Sequence, residues 1–209
     1  VLHSVIEKIK QTLSAIDHKA FNLAIDTILG AEKIYVIGIR SCAPLASFLS
    51  FYLNLVCDDV TTVTTNSSSE IFEQLIRINE KDVIIGISFP RYSMRTLKAL
   101  EFASNRKAKV ITLTDSIHSP MNLYSSCNLI ARSDMASIVD SLVAPLSVIN
   151  ALIVALCMKK QKEVVSTLET LEEIWDEYQV YSGDELNPVS GTVSVEQGEE
   201  DAGGSEKDE

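Results

Sequence analysis

The feature that most constrains this chain is an alternation of short apolar runs with longer amphipathic stretches. The runs read IYVIGI (34–39), VTTVT (60–64), DVIIGI (82–87), KVITLT (109–114) and NLIAR (128–132). They are short, rich in β-branched residues and apolar, as strands buried inside a parallel sheet are. Between them, 42–56, 69–76 and 92–104 carry apolar residues at helical spacing. Strands alternating with helices predict a three-layer α-β-α sandwich with a five-stranded parallel sheet.

Helical segments flank this core. Before it, Val5, Ile9, Leu13 and Ile16 share one periodicity, a break falls near Asp17, and Phe21, Ala24, Ile25 and Ile28 form a second stripe. Gly30 is placed to end that helix. After it come a long apolar helix from about Ile138 and an amphipathic one carrying Val164, Leu168, Leu171 and Trp175. The expected division is 1–30 as N-terminal helices packed on the domain, 31–182 as the main domain, and 183–209 as a disordered acidic tail. That tail holds nine acidic residues against Lys207, which is −8 of the net −11, and almost no large apolar residue to offset its ordering entropy.

The rest of the chain is close to neutral, which excludes a basic nucleic-acid surface on these residues. Cys42, Cys57, Cys127 and Cys157 are scattered without metal-ligand spacing and read as reduced thiols of a cytoplasmic protein. The run LVAPLSVINALIVALCM (142–158) sits at the lower limit of membrane length, holds Pro145 and Asn150, and reads as a buried core helix. Its apolar surface exceeds what one sheet face requires, so it is also expected to mediate a homodimer or tetramer. Val1 in place of Met points to a chain whose front has been removed.

In an open α/β sheet, ligands bind beyond the carboxyl ends of the strands. Three strand ends here carry hydroxyls: VIGIRSCAPLA with Arg40 and Ser41, ISFPRYSMRT with Ser88, Arg91, Tyr92 and Ser93, and TLTDSIHSP with Thr114, Asp115, Ser116, His118 and Ser119. Free N–H groups at a helix start, joined by serine hydroxyls, suit phosphate oxygens. Any one serine is more simply a helix cap; hydroxyls at successive strand ends favour a ligand. Cys42 next to Arg40 reads as a small packed residue before a reactive thiol. His118 reads as an exposed turn residue before an acid–base group. Asp140 and Ser141 are expected just inside the long helix.

Two N-terminal helices, a Gly-x-x-Ser turn after the first strand and an Ile-Ser turn-Ser-x-x-Thr segment after the third resemble the SIS (sugar isomerase) phosphosugar-binding fold. The likeness covers about residues 1–181. The segments VLHSVIEKIKQTLSAIDHKAFNLAIDTILGAEKIYVIG and SIVDSLVAPLSVINALIVAL are more narrowly similar to the effector domain of RpiR-family transcriptional regulators. The resemblance implies a flavodoxin-type strand order, a helix-turn-helix domain upstream, and ligand hydroxyls at Ser41, Ser88 and Ser93, with Glu70 near the sugar. It implies no cofactor, no metal and no catalytic residue in the regulator reading.

The chain departs from the family's Ser-x-Ser-Gly-x-Thr loop: Pro90 replaces a hydroxyl and Arg91 the glycine, and Arg40 stands where glycine is common in the first loop. The expectation is that Arg40 and Arg91 replace backbone contacts to a phosphate or carboxylate. An unpaired arginine pair is costly to hold without an anion, which favours this reading. The competing reading has Pro90 and Arg91 plug the site, with Arg91 paired to Asp115 or Glu70. Three functions follow: a sugar-phosphate sensor acting on DNA through the upstream domain, which is the reading adopted; a sugar-phosphate isomerase using Glu70 or His118; or a ligand-free dimerisation module. Related isomerases often carry Glu where this chain has Tyr92, which weakens the second.

Overall fold

The computed structural model describes residues 2–134 and 140–181. The acidic tail and Ile138, the expected start of the long helix, lie outside the described residues. Five parallel strands form one sheet: β1 (Ile34–Gly38), β2 (Val60–Val63), β3 (Val83–Ile87), β4 (Lys109–Thr114) and β5 (Cys127–Ile130). Their order is β2-β1-β3-β4-β5. Every pairing is parallel, with Gly38 opposite Ile87 and Ile87 opposite Leu113 at the carboxyl ends.

Side chains along a strand alternate between faces, so the sheet feeds two cores. Val36, Ile85, Ile111 and Leu129 join one core with α2 (His18–Leu29), α3 (Ala43–Val56) and α6 (Val143–Lys159). Tyr35, Ile37, Ile84 and Val110 join the other with α4 (Ser68–Leu75) and α5 (Met94–Asn105). This is the three-layer sandwich the alternation predicts. Gly86 lets α5 pack closely at the second interface, because a Cβ there would lie 2.8 Å from Leu100 Cδ2 and that side chain would have to shift.

The N-terminal helix α1 (Leu2–Ala15) turns its expected stripe inward at Val5 and Ile9, both half-buried, but departs from it at Leu13. Thr12 is its buried residue, and its hydroxyl accepts from the Arg132 backbone N–H at 3.0 Å, while Leu13 is 70% exposed. A polar residue wins the inward position because the chain beyond β5 offers an N–H that needs a partner. The break expected near Asp17 is the start of α2, which Asp17 caps by accepting from the N–H groups of Lys19 and Ala20.

The long apolar run forms α6, which begins at Val143, so Asp140 and Ser141 precede the helix instead of opening it. Ser141 donates its backbone N–H to Ser133 across the segment after β5. The helix is buried along Ala144, Pro145, Val148, Ile149, Leu152, Ile153 and Leu156. It packs on α3 and is further covered by α1 and α2, which explains an apolar surface larger than one sheet face requires. An outer stripe remains, with Val143, Val154 and Met158 exposed.

Among the described residues no single helix is long and apolar enough to cross a membrane. Contacts divide the chain into Val1–Thr170, which holds the sheet, and Leu171–Glu209. In the second unit the rings of Trp175 and Tyr181 meet edge to face at 5.3 Å. The amphipathic helix expected around Val164 to Trp175 is α7 (Gln161–Glu177).

Candidate functional site

The strand order reverses direction between β1 and β3, and a crevice outside the carboxyl ends at such a point is where this architecture binds ligands. Two turns meet there, one leaving each strand.

In the first, Gly38 ends β1 where the chain folds back on itself. A Cβ at Gly38 would lie 2.6 Å from the Cys42 carbonyl oxygen and 3.0 Å from Ala46 Cβ, so only glycine fits. Arg40 then takes a left-handed backbone at φ 58°. That is the conformation glycine adopts freely, and it costs a side-chain-bearing residue about 1–2 kcal/mol. Arg40–Cys42 form a single 3-10 turn ahead of α3, with Arg40 and Ser41 exposed. Cys42 is buried, and burial pushes its thiol up despite contacts from the Phe89 backbone and the Ser41 hydroxyl. A protonated, buried thiol is not a nucleophile, which fits the packed reading. Cys127, on β5, is pushed up to about 11 by burial alone.

Side chains close the second turn. Ser88 is 3% exposed, and its hydroxyl accepts from the Ser93 backbone N–H at 3.1 Å. Ser93 caps α5 by accepting from the Thr96 N–H at 3.3 Å. Both serine oxygens therefore do structural work as acceptors. Neither hydroxyl proton is donated to a described residue, so each remains available to an anion beside the free N–H groups of the α5 start.

Phe89 is buried beneath the exposed tip formed by Pro90 and Arg91. Tyr92 donates to the Asp115 carboxylate at 2.7 Å. The Thr114 hydroxyl lies 3.2 Å from that same carboxylate oxygen and 3.0 Å from the Ser119 hydroxyl. Burial first, and the Asp115 hydrogen bond and charge next, raise the Tyr92 phenol above its ordinary value.

The structure thus brings Arg40, Ser41, Ser88, Arg91 and Ser93 to neighbouring strand ends. Asp115 bonds Tyr92, and among the described residues neither arginine forms an ion pair, so the plug with Arg91 paired to Asp115 or Glu70 is not formed. Both arginines are exposed, so holding them unpaired costs little desolvation. The expected charge penalty therefore does not argue for an anion; the serine donors do.

Glu70 lies in the first turn of α4, beyond the edge strand β2, and its carboxylate forms no hydrogen bond with a described residue. His118 is exposed, and its backbone N–H donates to Ser116. No cluster of potential metal ligands occurs among the described residues. A cavity lined by Ile34, Cys57, Asp59 and Lys160 lies at the opposite, amino-terminal edge of the sheet. The Tyr92–Asp115 bond escapes a reading of the sequence, because nothing local marks a pairing across 23 positions.

Against this geometry, the model of the SIS domain family matches residues 27–155, which contain both turns and all five strands. The chain belongs to the SIS domain family. Its SIS domain has a solved likeness in the sugar isomerase domain of an RpiR transcription factor from Sphaerobacter thermophilus. The TM-score is 0.79 at 27% identity, over 83% of this chain and 96% of that one. The NanR protein of Vibrio vulnificus, solved with ManNAc-6P, shares the fold with a TM-score of 0.73 at 20% identity, over 84% of this chain and 67% of that one. An uncharacterised HTH-type transcriptional regulator of Caldanaerobacter subterraneus subsp. tengcongensis is 25% identical over 175 residues, 80% of this chain and 60% of the relative. The chain thus spans about three fifths of that relative's length. Structures described as sugar-phosphate isomerases share the fold as well.

Proposed function

We propose that this SIS domain is the phosphosugar-sensing part of a cytoplasmic transcriptional regulator of carbohydrate metabolism. The observation that carries the reading is the pair of turns at the switch point. They offer the Ser88 and Ser93 hydroxyls, the start of α5, and the flanking Ser41, Arg40 and Arg91 to one anion. Glu70 is a rim residue for sugar hydroxyls in this reading. The likeness to an RpiR sugar isomerase domain and to a regulator solved with a sugar phosphate supports it. DNA is engaged by a helix-turn-helix region of the longer protein, and a ligand alters that contact only by binding two states of the protein unequally.

A sensing role is favoured over catalysis by what stands where a base is needed. Moving a proton beside a sugar carbonyl takes a poised base within hydrogen-bond reach. Tyr92 fills the position of the isomerase Glu, and its phenol is held protonated against Asp115. Glu70 and His118 are exposed.

Self-association belongs to the same reading, and the surface suited to it is the outer stripe of α6. Leu152 is 1% exposed and therefore tests the core; Val154, 57% exposed, tests the interface. Val154→Asp should convert the oligomer to monomer in sedimentation without unfolding it, and an unchanged oligomer sinks this assignment.

The main test is a thermal-shift panel of sugar phosphates and phosphosugar acids on wild type and Arg91→Ala. A ligand at 100 times its Kd adds about 2.7 kcal/mol to the native state. A compound that stabilises wild type and shifts Arg91→Ala less supports the site. If no compound shifts wild type, the ligand-free dimerisation module replaces this reading. Turnover of any aldose or ketose phosphate in an NMR assay, lost in Glu70→Gln, would make the protein an isomerase instead.

A further inference from the structure

We propose that Tyr92 is a positioning residue: its hydroxyl, bonded to Asp115, holds the turn between β3 and α5 in the shape that presents Ser88, Ser93 and Arg91 to an anion. This rests on the ligand reading of the same turn.

The turn comprises residues 88–93, between Ile87 at the end of β3 and Met94 at the start of α5. Its ends are tied locally, by the Ser88 hydroxyl to the Ser93 N–H and by Ser93 to Thr96. Those bonds close the base of the turn and leave its tip, Pro90 and Arg91, exposed. Among the described residues, Tyr92 is the turn residue whose side chain reaches another strand end, 2.7 Å from Asp115 Oδ1.

The anchor it reaches is itself fixed. Thr114 is fully buried and bridges the Asp115 carboxylate and the Ser119 hydroxyl, while Ser119 accepts from the Met121 N–H. A phenol donating to a carboxylate forms a charge-assisted bond, stronger than a neutral one. Spent in this way, the Tyr92 hydroxyl touches no ligand; it acts through the turn. Phosphate binding at a two-ended turn depends on where both ends are held, and a displacement of the tip by about 1 Å is enough to spoil such a constellation.

The test titrates inorganic phosphate into the 209-residue protein by NMR for wild type, Tyr92→Phe, Asp115→Ala, the double variant and Asp115→Asn. Tyr92→Phe keeps the ring and deletes the bond. It should weaken phosphate binding about tenfold, equivalent to about 1.4 kcal/mol. Asp115→Ala should do the same, and the double variant no worse than either single one, because both remove one bond. Asp115→Asn retains an amide oxygen as acceptor and should restore most of the affinity.

Equal phosphate affinity in wild type and Tyr92→Phe overturns the proposal while leaving the ligand reading intact. A lowered melting temperature with unchanged phosphate affinity does the same, since it shows a merely structural bond. Losses that multiply in the double variant also overturn it. Should Asp115→Ala fail to fold, Tyr92→Phe and Asp115→Asn still decide. If wild type binds neither phosphate nor any sugar phosphate of the panel, the ligand reading falls and takes this inference with it.

Discussion

The two turns at the switch point meet the same need by opposite means. The turn after β1 is closed by backbone: Gly38 lets the chain return to within van der Waals distance of Cys42, and Arg40 accepts a left-handed φ of 58°. Hydroxyls close the turn after β3, with Ser88, Ser93 and Tyr92 each making a bond that fixes one part of it. A backbone-closed turn tolerates no added atom and stores strain. A turn closed by side chains can carry Pro90 and Arg91 at its tip, because its shape is set from beneath. The contrast teaches that a strand-end turn without glycine can keep a defined shape, provided side-chain bonds set it.

The contrast can be broken by substitution. Gly38→Ala should have the largest effect, about 3 kcal/mol of lost stability in denaturant unfolding, because its Cβ meets a backbone carbonyl that cannot move aside. Gly86→Ala meets only the end of the Leu100 side chain and should cost about 1–2 kcal/mol. Equal losses would show that the first turn is no more rigid than an ordinary helix–strand contact.

Of similar size is Ser88→Ala, which strands the Ser93 N–H and should cost about 1–3 kcal/mol. Arg40→Gly should raise stability by about 1 kcal/mol by relieving the left-handed backbone, yet weaken binding of inorganic phosphate in an NMR titration. Arg91→Ala, on an exposed tip, should leave stability within about 0.5 kcal/mol. An Arg40→Gly variant that is destabilised would refute the strain assigned to the first turn.

The smallest effect is at alkaline pH. The folded state raises the Tyr92 phenol above its unfolded value, so it favours the protonated form. The associated stability is fully present below the ordinary phenol range near 10 and is lost as pH rises through the raised value. Comparing melting temperatures of wild type and Tyr92→Phe between neutral and alkaline pH isolates this from the other tyrosines. The variant should show the flatter profile, and identical slopes would mean that the bond does not bias the titration.

Much of this molecule was legible without coordinates. The apolar runs locate all five strands to within one or two residues, since buried parallel strands must be apolar on both faces. The turns that hold Arg40, Ser88 and Ser93 were legible too, because a strand-turn-helix unit announces its turn by where the period changes; the left-handed backbone of Arg40 was not. What failed were side chains whose roles depend on distant partners. Leu13 faces solvent because Thr12 meets the backbone of Arg132, 120 positions away. Asp140 and Ser141 precede α6, since where a helix begins depends on where its first turn can be satisfied, and Ser141 bonds Ser133 instead.

By itself, the sequence determined the periodicities, and with them the layered sheet, the strand ends that carry hydroxyls, and a body close to neutral. These follow from burial and charge, which are properties of residue type and spacing. Only the tertiary structure decided the pairings: Tyr92 rather than Arg91 on Asp115, Cys42 buried between the turns, and the inner stripe of α6 consumed by α1, α2 and α3. A hydrogen bond is satisfied within a few tenths of an ångström, and sequence spacing alone does not determine how close two strand ends will lie.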